Sequence, residues 1–237
     1  MFQNKVVIVT GATSDIGQTV AIKFAKENAS VVLVGRNEEK LAKVKKLCDD
    51  EGSCAFIVKA DLTEDEDAEN VIKQTIEKYK KLDVLVNNAS ILRLGNILEA
   101  TILETFDDIM DTNVRAVMAL TSYATEHLIA SKGNIVNVSS IGGSRVVSLH
   151  HAAYCMSHAA LNHFTKFAAF ELGKEGVRVN SVSPAVLDEH ESVLSTLLDE
   201  DPSSEDIADM VIYLASDDAK SITGSNYTCD SGALAKS

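Results

Sequence analysis

The chain has 237 residues, 46% of them hydrophobic, and no Pro- or Gly-rich linker, which suits one large α/β domain. Its 35 acidic residues against 22 basic ones leave a net charge of −13, which argues against nucleic acid and anionic membranes as partners. No apolar run approaches the ~18 residues that a membrane-spanning helix needs. The N-terminal MFQNKVVIVTG enters a strand almost at once, leaving no stretch for a signal peptide. Cys48, Cys54, Cys155 and Cys229 show no CxxC pairing. Together these features predict a cytoplasmic protein with reduced, partly buried cysteines and no metal.

Strand-like runs at Lys5–Thr10, Ser30–Gly35, Cys54–Lys59, Asp83–Asn87, Ile135–Ser139, Val177–Ser183 and Asn226–Cys229 alternate with helix-like stretches. The helices are expected at Ile16–Asn28, Glu38–Glu51, Asp65–Tyr79, Leu103–Ser131, Tyr154–Lys174 and Ser204–Ser216. Such alternation predicts a doubly wound parallel sheet, a Rossmann fold in a single domain over 1–237, with ligands beyond the carboxyl ends of its strands. In the first strand-to-helix turn, Thr10 to Gly17, Gly11 permits a tight exit and Gly17 close helix packing. The start of that helix, at Ile16, offers free N–H groups to a pyrophosphate.

The stretch from Asn134 to Leu172 carries the chemistry. Ile135, Val136 and Val138 form a strand buried on both faces, which ends at Ser139-Ser140. Tyr154 opens a helix in which Ala159, Leu161, Phe164, Phe167, Ala168 and Leu172 recur at helical spacing. A serine at a strand end and a tyrosine at a helix start can meet over a bound ligand. With VRVNSVSP at 177–184, these motifs resemble the short-chain dehydrogenase/reductases, and the resemblance covers essentially the whole chain.

The resemblance implies roles for individual residues. Ser140, with Gly143 three residues on, matches the serine that orients a carbonyl or alcohol. Tyr154 matches the acid/base that exchanges a proton with it. Asn113, in Asp111-Thr112-Asn113-Val114, matches the asparagine that bends its helix and holds a relay water. Asp61, after the third strand, matches the aspartate at the adenine amino group. Asn88, in Asn87-Asn88-Ala89-Ser90, lies where the backbone passes the adenosine ribose, and Pro184 closes the matching motif after the sixth strand. At the end of the second strand an acidic residue favours NAD in this family; here Gly35 is followed by Arg36, whose planar fork suits a 2′-phosphate and hence NADP(H) over NAD(H).

Several positions depart from the family pattern. The lysine four residues after the tyrosine, which holds the cofactor ribose and lowers the tyrosine's pKa, is His158. Without that cation Tyr154 is expected to stay near its ordinary pKa of ~10, and His158 to be largely neutral with a pKa near ~6.5. A family glycine is replaced by Asp15, whose carboxylate beside a pyrophosphate weakens dinucleotide binding by about two decades; locally, Asp15 also suits a helix N-cap. Ser90, Ala185 and Ser231 stand where the family has glycine, which for Ser90 matters only if φ is positive. The substrate lid over 185–201 looks shortened. No Lys or Arg occurs between Arg178 and Lys220, which reads as a solvated acidic face or as a surface for a basic partner. His150 and His151, on the loop before Tyr154, read as solvated loop residues or as lining for a pocket.

Two readings stand. In one, this is a degraded oxidoreductase scaffold with impaired or absent turnover; in the other, an active NADPH-dependent carbonyl reductase or alcohol dehydrogenase using Asn113, Ser140, Tyr154 and His158. Either takes a small carbonyl or alcohol as ligand. Surplus apolar residues on two helices, Val114, Val117, Met118, Leu120 and Thr121 with Leu161, Phe164, Phe167 and Phe170, predict a homodimer or homotetramer.

Overall fold

The computed structural model describes residues 1–185, 196–198 and 200–236. Seven strands form one parallel sheet in the order β3-β2-β1-β4-β5-β6-β7. They are β1 Val6–Thr10, β2 Ser30–Gly35, β3 Phe56–Lys59, β4 Val84–Asn87, β5 Asn134–Val138, β6 Arg178–Pro184 and β7 Asn226–Cys229. The chain winds outward from β1 in one direction, then returns to β4 and winds in the other. That reversal leaves a crevice between the strand ends of β1 and β4.

Alternate strand residues face opposite layers. Val7 and Val9 of β1, with Val31 and Leu33 of β2, pack under α1 (Asp15–Lys26), α2 (Glu38–Asp50) and α7 (Ser204–Ala215). Val6 and Ile8, with Val32 and Val34, face the opposite layer. There they meet α3 (Asp65–Tyr79), α5 (Ala116–Ser131) and α6 (Ala152–Leu172). Burial on both faces is why these strands are continuous runs of valine, isoleucine and leucine.

The one long helix expected over 103–131 is two helices. α4 (Ile102–Met110) and α5 are joined by a π-helical turn at Asp111–Arg115. Asn113 sits inside this wider turn, 1% exposed, and its carboxamide satisfies a neighbouring loop. It accepts from Ile91 N–H at 2.8 Å, donates to Ile91 C=O at 3.0 Å and donates to Ser157 Oγ at 3.1 Å. The helix is interrupted at Asn113 by a widened turn, in which the buried amide has three partners.

The apolar faces expected to drive assembly divide. Val117, Leu120, Thr121 and Leu161 are core residues, while Met118, Phe167 and Phe170 point outward. The lid predicted over 185–201 falls mostly outside the described residues. Ser90 has no positive φ, so its side chain costs no backbone strain, whereas Ser231 has φ +49 and does replace glycine in a left-handed turn.

Candidate active site

A cleft of about 490 Å³ opens along the carboxyl ends of the strands. Gly11, Asp15, Ile16, Arg36, Asp61, Asn88, Ser140, Tyr154 and Pro184 all line it, as do Thr13, Ser14, Thr112 and the backbone around Ile91 and Leu92. Gly17 lies just behind the turn. Asn113 and His158 are not on the wall.

The first turn is closely packed. A Cβ on Gly17 would lie 2.2 Å from Gly11 O, and Gly11 has φ +59 with Ala89 Cα only 2.8 Å from an added Cβ. Neither position admits a side chain. Asn88 braces this turn from the end of β4. Its Nδ2 donates to Thr10 O at 2.9 Å, Gly11 O at 3.1 Å and Ser14 Oγ at 3.2 Å. The Asn88 side chain thus has a structural task that the sequence pattern did not reveal.

Asp15 does not cap the helix. Ser14 does, its Oγ accepting from Gly17 N–H at 3.1 Å, and Asp15 occupies the first helical position with its side chain exposed at the cleft. A serine three residues before Gly17 is the signal that identifies the cap. Because the serine already holds the cap, the Asp15 side chain is left exposed where the helix N-terminus would meet a pyrophosphate.

At the other side of the crevice, Arg36 Nη1 lies 3.9 Å from Asp61 Oδ2, both well exposed. The other oxygen of Asp61 accepts from Thr63 N–H at 3.2 Å and Thr63 Oγ1 at 2.8 Å. The loose, solvated contact leaves the Arg36 guanidinium free to meet a phosphate. Among the described residues lining the cleft, Arg36 is the only cation, against Asp15 and Asp61.

The reacting end is built from β5 and α6. Ser139 N–H donates to Val182 O at 2.7 Å, which fixes the strand end. Ser140 Oγ accepts from Gly142 N–H at 3.0 Å and shares the cleft wall with Tyr154. Burial raises the Tyr154 pKa above its ordinary value, and the Ser140 hydroxyl only partly offsets this. The expectation of an unperturbed tyrosine is thus corrected upward: removal from water penalises the phenolate.

One helical turn on, His158 is 1% exposed. Its ring packs 4.3 Å from that of Tyr154, and Nδ1 lies 3.4 Å from Ser139 Oγ, while Nε2 has no hydrogen-bond partner. Burial pushes its pKa down to about 4, so it is neutral, as expected, but far below ~6.5. His151 is buried rather than solvated, while His150 is part-exposed. His150 Nδ1 is 2.8 Å from Asn96 Nδ2, and His151 is 2% exposed, edge-on to Tyr154 at 6.1 Å. The loop is tied to its neighbour, where Gly95 N–H donates to His150 O at 2.9 Å.

This donor set fits a dinucleotide unevenly. The glycine turn, the α1 terminus and Arg36 suit the adenosine half and its phosphates, while Asp15 opposes the pyrophosphate and the residue one turn after Tyr154 is a buried, neutral histidine. Cys48, Cys54, Cys155 and Cys229 are free thiols, and no group of three His, Cys, Asp or Glu residues fit to hold a metal occurs among the described residues. No described helix is long and apolar enough to cross a membrane.

Comparison with known proteins agrees with this architecture. Residues 11–233 match the family model described as enoyl-(acyl carrier protein) reductase. An uncharacterised oxidoreductase of Thermotoga maritima is 35% identical, with 99% of each chain covered. A 3beta-hydroxysteroid dehydrogenase of Mediterraneibacter gnavus is 33% identical over 98% of this chain and 95% of its own. A crystal structure of a short-chain type dehydrogenase/reductase from Mycobacterium marinum superposes with a TM-score of 0.93 at 29% identity, covering 98% of this chain and 96% of that one. The chain belongs to the short-chain dehydrogenase/reductases, a family of oxidoreductases that use nicotinamide cofactors.

Proposed function

We propose that this protein is an NADP(H)-preferring member of that family whose turnover of carbonyl or alcohol substrates is impaired. The observation that carries the reading is the burial of His158 beneath Tyr154, uncharged and off the cleft wall. A bound NADP(H) supplies hydride chemistry; the residues here that would hold it are Gly11, Ile16, Gly17, Arg36, Asp61, Asn88 and Pro184. Ser140 orients a small carbonyl or alcohol, and Tyr154 is left as a weak base without a neighbouring charge. The alternative, an active reductase, draws on one observation: Ser140 and Tyr154 line one cleft. The free cysteines accord with a cytoplasmic setting, and the outward Met118, Phe167 and Phe170 accord with a homodimer or homotetramer.

Calorimetric titration with NADPH and NADH tests this reading. NADPH is expected to bind about tenfold or more tighter, through a charge-assisted contact with Arg36. Arg36→Ala should erase the difference and leave NADH affinity unchanged. Equal affinities in the unmodified protein would refute the cofactor preference, and brisk ketone-dependent NADPH oxidation would refute the impairment.

A further inference from the structure

Charge along the cleft is segregated by strand. Arg36 follows β2, its guanidinium well exposed and 3.9 Å from the Asp61 carboxylate. Asp61 Oδ1 accepts from Thr63 N–H and Thr63 Oγ1, which anchors that carboxylate to its own loop and lets the guanidinium turn toward a ligand. Asp15 follows β1, the strand paired with β2, and stands exposed at the first position of α1. Arg36 and Asp15 both line the cleft, and Val34, Ala60 and Leu62 give its wall an apolar stretch suited to a flat base.

The glycine turn has fewer donors to offer a phosphate than its sequence implies. Ser14 Oγ donates to Gly11 O at 3.0 Å and accepts from Gly17 N–H at 3.1 Å, so the hydroxyl and that amide are both engaged inside the turn. What remains is the α1 terminus itself, equivalent to about half a positive charge. A carboxylate in its first turn, here Asp15, outweighs that half charge. A phosphate at this place is opposed, whereas a hydroxyl group can donate to the carboxylate.

We propose that the cleft selects an adenosine that is phosphorylated on its ribose but keeps a free 5′-hydroxyl, with the 2′-phosphate on Arg36 and the 5′-hydroxyl on Asp15. This inference rests on reading the cleft as an NADP(H)-type site. It goes beyond that reading by placing all of the anion recognition at Arg36. The 5′ side, where a dinucleotide carries its pyrophosphate, is the side that the protein disfavours. A cation at one place and a carboxylate at the other match a ligand that is anionic at one end and a hydrogen-bond donor at the other.

The test is calorimetric titration with adenosine, adenosine 2′-phosphate and adenosine 2′,5′-bisphosphate. It is run on the unmodified protein, on Asp15→Gly and on Asp15→Asn, the last of which removes the charge and keeps the shape. In the unmodified protein the 2′-phosphate should bind about tenfold or more tighter than adenosine. The bisphosphate should bind about tenfold or more weaker than the 2′-phosphate. Either variant should bring the bisphosphate level with the monophosphate or above it. A bisphosphate that binds the unmodified protein at least as tightly as the monophosphate, or an order that neither variant changes, overturns the inference; NADPH bound more tightly than NADH would then leave the cofactor preference standing. A 2′-phosphate no tighter than adenosine overturns both. The expected order together with brisk ketone-dependent NADPH oxidation keeps the inference and refutes the impaired turnover. No binding of any of the three ligands at millimolar concentration overturns the inference outright.

Discussion

The rings of Tyr154 and His158 lie 4.3 Å apart on one face of α6, inclined at 60°. The contact is an apolar one, because burial keeps both groups neutral: the tyrosine pKa is raised, and that of the histidine falls to about 4. A lysine at this position would bring a positive charge to the phenol. The histidine brings packing instead, with one ring nitrogen left unpartnered.

Acid sensitivity follows from this burial. In the unfolded chain His158 takes up a proton near 6.5, whereas in the fold it does so only near 4. Between those values the unfolded state holds more protons, so stability is full above pH 6.5 and is lost as pH falls toward 4. The loss from this group is on the order of 3 kcal/mol. His158→Gln should make the urea midpoint less dependent on pH in that window; an unchanged slope would show that His158 does not titrate as its burial requires.

Two substitutions should separate binding from proton transfer. Asp15→Gly should restore NADPH affinity by about two decades with little turnover, because Tyr154 still lacks a cationic neighbour. His158→Lys alone should add little, since the carboxylate still opposes the pyrophosphate. Together they should give ketone-dependent NADPH oxidation that exceeds the sum of the single effects, and Tyr154→Phe should abolish it. A double variant that binds NADPH tightly yet stays inert would place the defect elsewhere in the cleft.

Asn113 should matter for stability whatever the activity. Asn113→Ala removes three hydrogen bonds, one fully buried and two part-buried, the latter two to the backbone of Ile91. The expected loss is about 2–3 kcal/mol in urea denaturation. A midpoint matching that of the unmodified protein would mean that water replaces the amide without penalty.

Assembly should depend on the outward side chains alone. Phe170 is 78% exposed and Phe167 57%, on a helix whose inner face already packs the sheet. Light scattering at micromolar concentration should give a dimer or tetramer, and Phe167→Glu with Phe170→Glu should give a monomer. A monomeric unmodified protein would rule the interface out.

Periodicity and turn chemistry were enough to place the sheet, because a strand buried on both faces must be apolar throughout and each crossover helix must carry one apolar stripe. The glycine turn was equally legible: Gly11 and Gly17 have no room for a side chain. Motif spacing likewise brought Ser140 and Tyr154 to one cleft. Other features depended on contacts between segments far apart in the chain. The turn at Asn113 is bonded to the loop at Ile91, 22 residues away. His151 is buried where its loop is tied to Gly95. The pKa values of Tyr154 and His158 moved apart for the same reason. A sequence names the ionisable group, but the cost of charging it is set by how much water the tertiary fold removes from around it.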